Sequence, residues 1–106
     1  MTEASPPPFS NLLVVEASPG LEAALEELLT AFTLHCRSEV GCLRYDCFQS
    51  FENPARFMLQ WEWRDEVSLE RHLGSEALRE FFERGAEVWI EGPSVEGLYR
   101  DFPRAE

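Results

Sequence analysis

The chain has 106 residues, of which 9 are basic and 20 acidic, for a formal net charge of −11. That length suits one domain, and 44% hydrophobic residues can fill a single core without disulfides or metals. A surface this negative repels phosphate backbones and anionic lipid, which argues against nucleic acid or membrane partners. No apolar run approaches the length of a bilayer span, and the first residues lack the basic and apolar regions of a secretion signal. The expected location is cytoplasmic. Cys36, Cys42 and Cys47 form an odd set with none of the usual zinc spacings. They read as buried free thiols, and no metal is expected.

Residues 1–8 form a Pro-rich extended lead-in, either a plain tail or an arm across a partner subunit, before a single domain over residues 9–102. Phe9 to Ala17 reads as a strand with Leu13 and Val15 on one face and Leu12 and Val14 on the other. A strand apolar on both sides needs a cover on both sides. Ser18-Pro19-Gly20 then opens a helix, with Ser18 as N-cap and Pro19 in the first turn. Leu21, Leu25, Leu28, Leu29, Phe32 and Cys36 recur at helical spacing until Arg37-Ser38, and Gly41 supplies the turn that follows.

Cys42 to Phe51 reads as a second strand and Arg56 to Arg64 as a third, joined by the turn residues Glu52-Asn53-Pro54-Ala55. The short link makes them an antiparallel hairpin, with Phe57, Leu59, Trp61 and Trp63 on one face. Asp65 caps a short helix from Glu66 to Leu73 that stops at Gly74. Ser75 caps another, striped by Leu78, Phe81, Phe82, Gly85 and Trp89 and stopped at Gly92-Pro93. Ser94 to Phe102 is the last strand. The order β-α-β-β-α-β, with its second helix split at Gly74-Ser75, predicts an α+β, ferredoxin-like fold: a four-stranded antiparallel sheet with helices on one face. The other face carries too much apolar surface for water, so a homodimer through that face is expected.

One ensemble of residues carries a family resemblance. It comprises Ser38, Glu39, Gly41, Cys42, Leu43, Tyr45 and Asp46, then Gln49, Ser50, Asn53, Pro54, Phe57, Leu59, Trp63 and Asp65, then Leu69, His72, Leu73, Ser75, Phe81 and Phe82. From about Phe9 to Tyr99 the chain resembles the antibiotic biosynthesis monooxygenase superfamily. The resemblance implies a dimeric α/β barrel of two sheets back to back, each subunit holding a pocket between sheet and helices. It implies oxygenases that work on polyphenols and quinols without metal, flavin or haem, beside members that degrade haem or process signalling molecules. Fold alone does not choose among these. Trp61 departs from the Glu that many members carry two residues before the Trp. The haem-degrading branch uses an Asn on the first strand, a Trp on the helix after the hairpin and a later His. Here Asn11 is out of register, His72 stands at the Trp position and Phe82 at the His position, which argues against haem degradation.

Seven residues are candidates for chemistry. His72 has the pKa class of a base near neutrality, or it caps its helix end. Tyr45 aims a hydroxyl into a pocket or packs its ring. Trp61 and Trp63 form a stacking wall for a flat ligand or are core. Arg37 binds an anionic group or pairs with Glu39, and a buried Asn11 must bond a neighbour or a ligand. Tyr99 has the weakest case. The expected reaction is a cofactor-free monooxygenation of a small aromatic substrate, with His72 and Tyr45 catalytic and Asn11, Arg37, Trp61 and Trp63 binding. The alternative is a non-catalytic dimer that binds a small hydrophobic ligand.

Overall fold

The structure, a computed structural model, describes residues 9–90, 93–95, 99 and 100. The lead-in at 1–8 lies outside the described residues, as do Leu98 and Phe102 of the expected last strand. The elements follow the expected order: β1 (Phe9–Glu16), α1 (Glu22–Arg37), β2 (Cys42–Gln49), β3 (Arg56–Trp63), α2 (Glu66–Leu73), α3 (Glu76–Gly85), β4 (Ser94–Val95) and β5 (Tyr99–Arg100). The sheet runs β2-β3-β1-β4, and β5 also pairs with β1, so the last strand is described in two short pieces on one edge. All pairs are antiparallel, which is the ferredoxin-like α+β arrangement with a split second helix.

The ladder register decides what faces the helices. Asn11 lies opposite Trp61, which lies opposite Tyr45, so one row crosses three strands on one face. The next rows are Leu13, Leu59 and Cys47, then Val15, Phe57 and Gln49. Leu25, Leu29, Phe32 and Cys36 of α1, Leu69 of α2 and Phe81 of α3 complete the same core. Full burial of Leu25, Leu29 and Trp63 contributes roughly 2–3 kcal/mol each relative to exposure. The opposite face carries Val14, Met58 and Phe48 in one row, with Met58 and Phe48 exposed.

Local chemistry explains most of the boundaries. The Asp65 side chain accepts from the Ser68 N–H at 2.8 Å and starts α2. The Ser68 hydroxyl and N–H and the neighbouring Arg64 lower the Asp65 carboxyl to about 2. Ser75 accepts from the Leu78 N–H and starts α3. Gly41 has φ +87°, and a Cβ there would overlap the Ser68 side chain, so only glycine lets α2 sit this close to the turn after α1.

Several boundaries differ from expectation. Ser18 is not an N-cap: its carbonyl accepts from Leu21 N–H in a turn that Gly20 completes at φ +85°, and α1 starts at Glu22. In β2 the register slips between Cys42 and Arg44, which leaves Leu43 exposed while Tyr45 is buried. The strand ends at Gln49 because Ser50 turns to accept from the N–H groups of Glu52 and Asn53. The third helix ends at Gly85 rather than near Gly92. There Trp89 folds back over Gly85, whose missing Cβ makes room for the indole, and Ile90 N–H bonds the Glu16 carbonyl. Trp89 thus leaves the helical stripe to join Ala17 at the sheet edge.

Candidate functional site

His72 occupies the last turn of α2 and is buried, although its helix is otherwise half polar. Its Nδ1 lies 2.8 Å from Glu39 Oε2, in the turn between α1 and β2. A carboxylate oxygen accepts, so the neutral ring carries its proton on Nδ1 and leaves a lone pair on Nε2. Burial lowers the His72 pKa below its ordinary value, and this outweighs the opposing pull of Glu39. The ring is therefore neutral near pH 7.

Aromatic rings close around it. Trp63 stacks on His72 with centroids 4.6 Å apart, Tyr45 meets it edge-on at 5.6 Å, and Trp61 and Phe32 stand at 6.2 and 6.1 Å. A ring inserted between two others needs about 7 Å between their planes, so no flat ligand fits between Trp63 and His72. Trp61 and Trp63 do share a face, edge-to-face at 6.2 Å, but His72 lies over that wall.

Tyr45 is buried in the same core as Cys36. Burial, reinforced by Cys36, pushes the phenol far above its ordinary range, so Tyr45 stays protonated and serves as a donor rather than a base. Burial likewise raises the Cys36 thiol, with Glu39 adding to the effect. Asn11 is buried opposite Trp61, and its Oδ1 accepts from the Leu12 N–H at 2.6 Å.

Arg37 does not pair with Glu39. Its Nε donates to the Tyr45 carbonyl at 2.7 Å and its Nη2 to Asp46 at 2.9 Å, on the half-exposed flank of β2. Glu39 is taken by His72 instead. The structure thus brings together His72, Tyr45, Trp61 and Trp63. Arg37 and Asn11 are engaged beside them.

Three features escape a reading of sequence. Glu39 is the orienting partner of His72, and its place beside Gly41 in the motif was the available signal. Cys36 looks like a core residue of α1, yet its Sγ, a Glu39 carboxylate oxygen and a His72 ring nitrogen lie within 4.8 Å of one another, a set able to hold a metal ion. Trp63 Nε1 is buried with no acceptor among the described residues, so it retains a donor for a ligand oxygen or an ordered water. Phe82, by contrast, is exposed and packs edge-on against Phe81 and Trp89, away from the His72 ring contacts.

Room for a ligand lies one ring away. A recess of about 530 Å³ opens between α1 and α3, lined by Leu28, Phe32, His35, Ala77, Phe81 and Arg84 among others. Phe32 stacks on Phe81 at 4.0 Å in that recess and also approaches His72. It is the ring common to the recess and the buried cluster. No helix among the described residues is long and apolar enough to cross a membrane.

Comparison with known proteins agrees with this architecture. The chain is similar to the solved structure of PA3566 from Pseudomonas aeruginosa, with a TM-score of 0.84 and 29% identity over 95% of this chain and 100% of that one. It is also similar to Rv0793 from Mycobacterium tuberculosis, with a TM-score of 0.82 and 23% identity over 93% and 99% of the two chains. A conserved protein from Methanosarcina mazei gives 0.82 and 24% over 92% and 96%. No curated relative matches the sequence. Residues 8–84 match the family described as antibiotic biosynthesis monooxygenase. On that match, and on a fold shared along nearly the whole chain, the protein belongs to the antibiotic biosynthesis monooxygenase family.

Proposed function

We propose that the protein is a monooxygenase that needs no bound cofactor and acts on a small phenolic or quinol-type substrate, with His72 as the proton acceptor. The observation that carries this reading is the 2.8 Å contact of His72 Nδ1 with Glu39 Oε2 inside a shell of aromatic rings. A carboxylate that orients a neutral imidazole leaves Nε2 as the base and stabilises the imidazolium that forms. The substrate hydroxyl gives its proton to Nε2. The electron-rich phenolate then reduces dioxygen: one oxygen atom becomes a carbonyl at a ring carbon that loses its hydrogen, and the other leaves as water. Tyr45, held as a neutral phenol, and the unpaired Trp63 N–H are the donors available to developing oxyanion charge.

Because the rings around His72 are in contact, the substrate enters through the recess between α1 and α3, with Phe32 turning aside. The recess is on the scale of small-molecule sites. A second copy of the chain covers the outer sheet face along Val14, Met58 and Phe48, which makes the protein a homodimer. Three free thiols suit a reducing compartment, and the cytoplasm is the proposed location. The test is oxygen uptake with a panel of hydroquinones and naphthols, comparing the protein with His72→Phe, which keeps the ring and removes both nitrogens. Turnover should fall at least about 100-fold.

A second reading has its own support. The contact of Trp61 and Trp63 with His72 suits a filled core, and a non-catalytic dimer binding a small hydrophobic ligand in the recess needs nothing more. Quinol binding without oxygen uptake, unchanged in His72→Phe, would select it.

A further inference from the structure

We propose that Cys36 Sγ, the Glu39 carboxylate and His72 Nδ1 form a binding site for a thiophilic divalent cation of the zinc or cobalt kind. The three residues come from the end of α1, the turn after it and the end of α2; one ligand atom from each, with a ring nitrogen for His72, lies within 4.8 Å of the others, and Nδ1 is the nitrogen 2.8 Å from Glu39. A tetrahedral zinc with its usual bond lengths of about 2.0–2.3 Å holds neighbouring ligand atoms roughly 3.3–3.7 Å apart. The longest span here therefore has to shorten by no more than about 1.5 Å. Glu39 Oε2 already stands 2.8 Å from His72 Nδ1, so the spans that close are those to Cys36 Sγ, and the Glu39 side chain, 19% exposed, has freedom to adjust beside the buried Cys36 and His72.

The donor set argues for the class of ion. One sulfur, one imidazole nitrogen and one carboxylate match zinc and cobalt, whereas magnesium and calcium take oxygen ligands. A thiolate and a carboxylate together neutralise a dication, so the loaded site buries no net charge. Supporting contacts are already present. Tyr45 shares the buried core with Cys36 and would offer its hydroxyl to the bound thiolate, and Trp63 stacked at 4.6 Å holds the His72 ring in place. Three protein ligands leave a fourth position, and the partly exposed Glu39 marks the side from which an ion enters.

The inference goes beyond the proposed function and competes with it. An ion on Nδ1 takes the place of the proton that Glu39 accepts, so a loaded site lacks the oriented base, and metal is expected to inhibit turnover. Its test reads no turnover and therefore stands apart. Chelator-treated protein is titrated with Co²⁺ alone and followed by absorbance. One equivalent per chain should produce thiolate-to-cobalt charge transfer together with a tetrahedral visible band, and Zn²⁺ should displace it. Cys36→Ser should abolish the charge-transfer band, and Glu39→Gln should weaken binding at least about 10-fold. The second variant is at a partly exposed turn and guards against a folding failure in the first. A Cys42→Ser/Cys47→Ser double variant should bind as the parent does. Absence of stoichiometric binding at micromolar Co²⁺ or Zn²⁺, or the same spectrum in Cys36→Ser, overturns the site.

Discussion

The buried ring cluster around His72 and the open recess between α1 and α3 are neighbours built on opposite terms. The cluster holds the proposed chemical groups: a neutral imidazole, an orienting carboxylate, a protonated phenol and an indole N–H with no acceptor among the described residues. It has no gap for a ligand. The recess has the room, about 530 Å³, but its polar groups His35, Glu76, Glu80 and Arg84 line an outer wall with no such buried dyad. Phe32 belongs to both, stacked on Phe81 and 6.1 Å from His72. On the proposed reading, turnover depends on whether the Phe32 ring turns aside as well as on which residues are present.

Substitutions can break that contrast from either side. The largest effect is expected for Gly41→Ala, which combines a left-handed φ of +87° with overlap against Ser68. Each penalty costs roughly 1–3 kcal/mol, so a loss of about 3 kcal/mol or more is expected, with a melting temperature more than about 10 °C lower. Because the same glycine sets Glu39 beside α2, oxygen uptake should be lost even at temperatures where the variant is folded. A variant as stable as the parent would show that the approach of α2 to this turn is loose. Ala77→Leu works on the recess instead, filling it without touching the cluster. Stability should change by no more than about 0.5 kcal/mol while the KM for a quinol rises. An unchanged KM would mean that substrate reaches His72 by another route.

The smallest effect is expected inside the cluster's own support. Thr33 is buried on α1, and its hydroxyl has no partner among the described residues. Thr33→Val keeps the shape and removes the unsatisfied group, so denaturant unfolding should show no loss and a gain of up to about 1 kcal/mol. A clear loss would instead point to an ordered water bridging that hydroxyl to the core.

Much of the fold was legible because its signals are local. The caps at Asp65 and Ser75 and the stop at Gly74 act within one turn, and the alternation of Phe57, Leu59, Trp61 and Trp63 needs only a strand and one buried face. Two departures arose where a distant partner overrode a local pattern. Trp89 continues the helical stripe on paper, yet the bare surface of Gly85 and the bridge to Ala17, just past the end of β1, draw it out of the helix. Arg37 and Glu39 look like a pair two residues apart, but Asp46 across the β2 flank and His72 from α2 each offer a better placed partner.

The sequence by itself determined the periodicities, the caps and turns, and hence the ferredoxin-like order of elements. Those depend on residues a few positions apart, whose relative geometry the backbone already limits. Only the tertiary structure decided that Glu39 would orient His72 across 33 positions, that Cys36 would meet both, and that the tryptophan wall would be covered rather than open. Each of those follows from how α1 and α2 pack on β2 and β3, where burial weighs every candidate partner at once. A buried polar group bonds whichever neighbour the packing brings within reach, and no spacing in the chain encodes that choice.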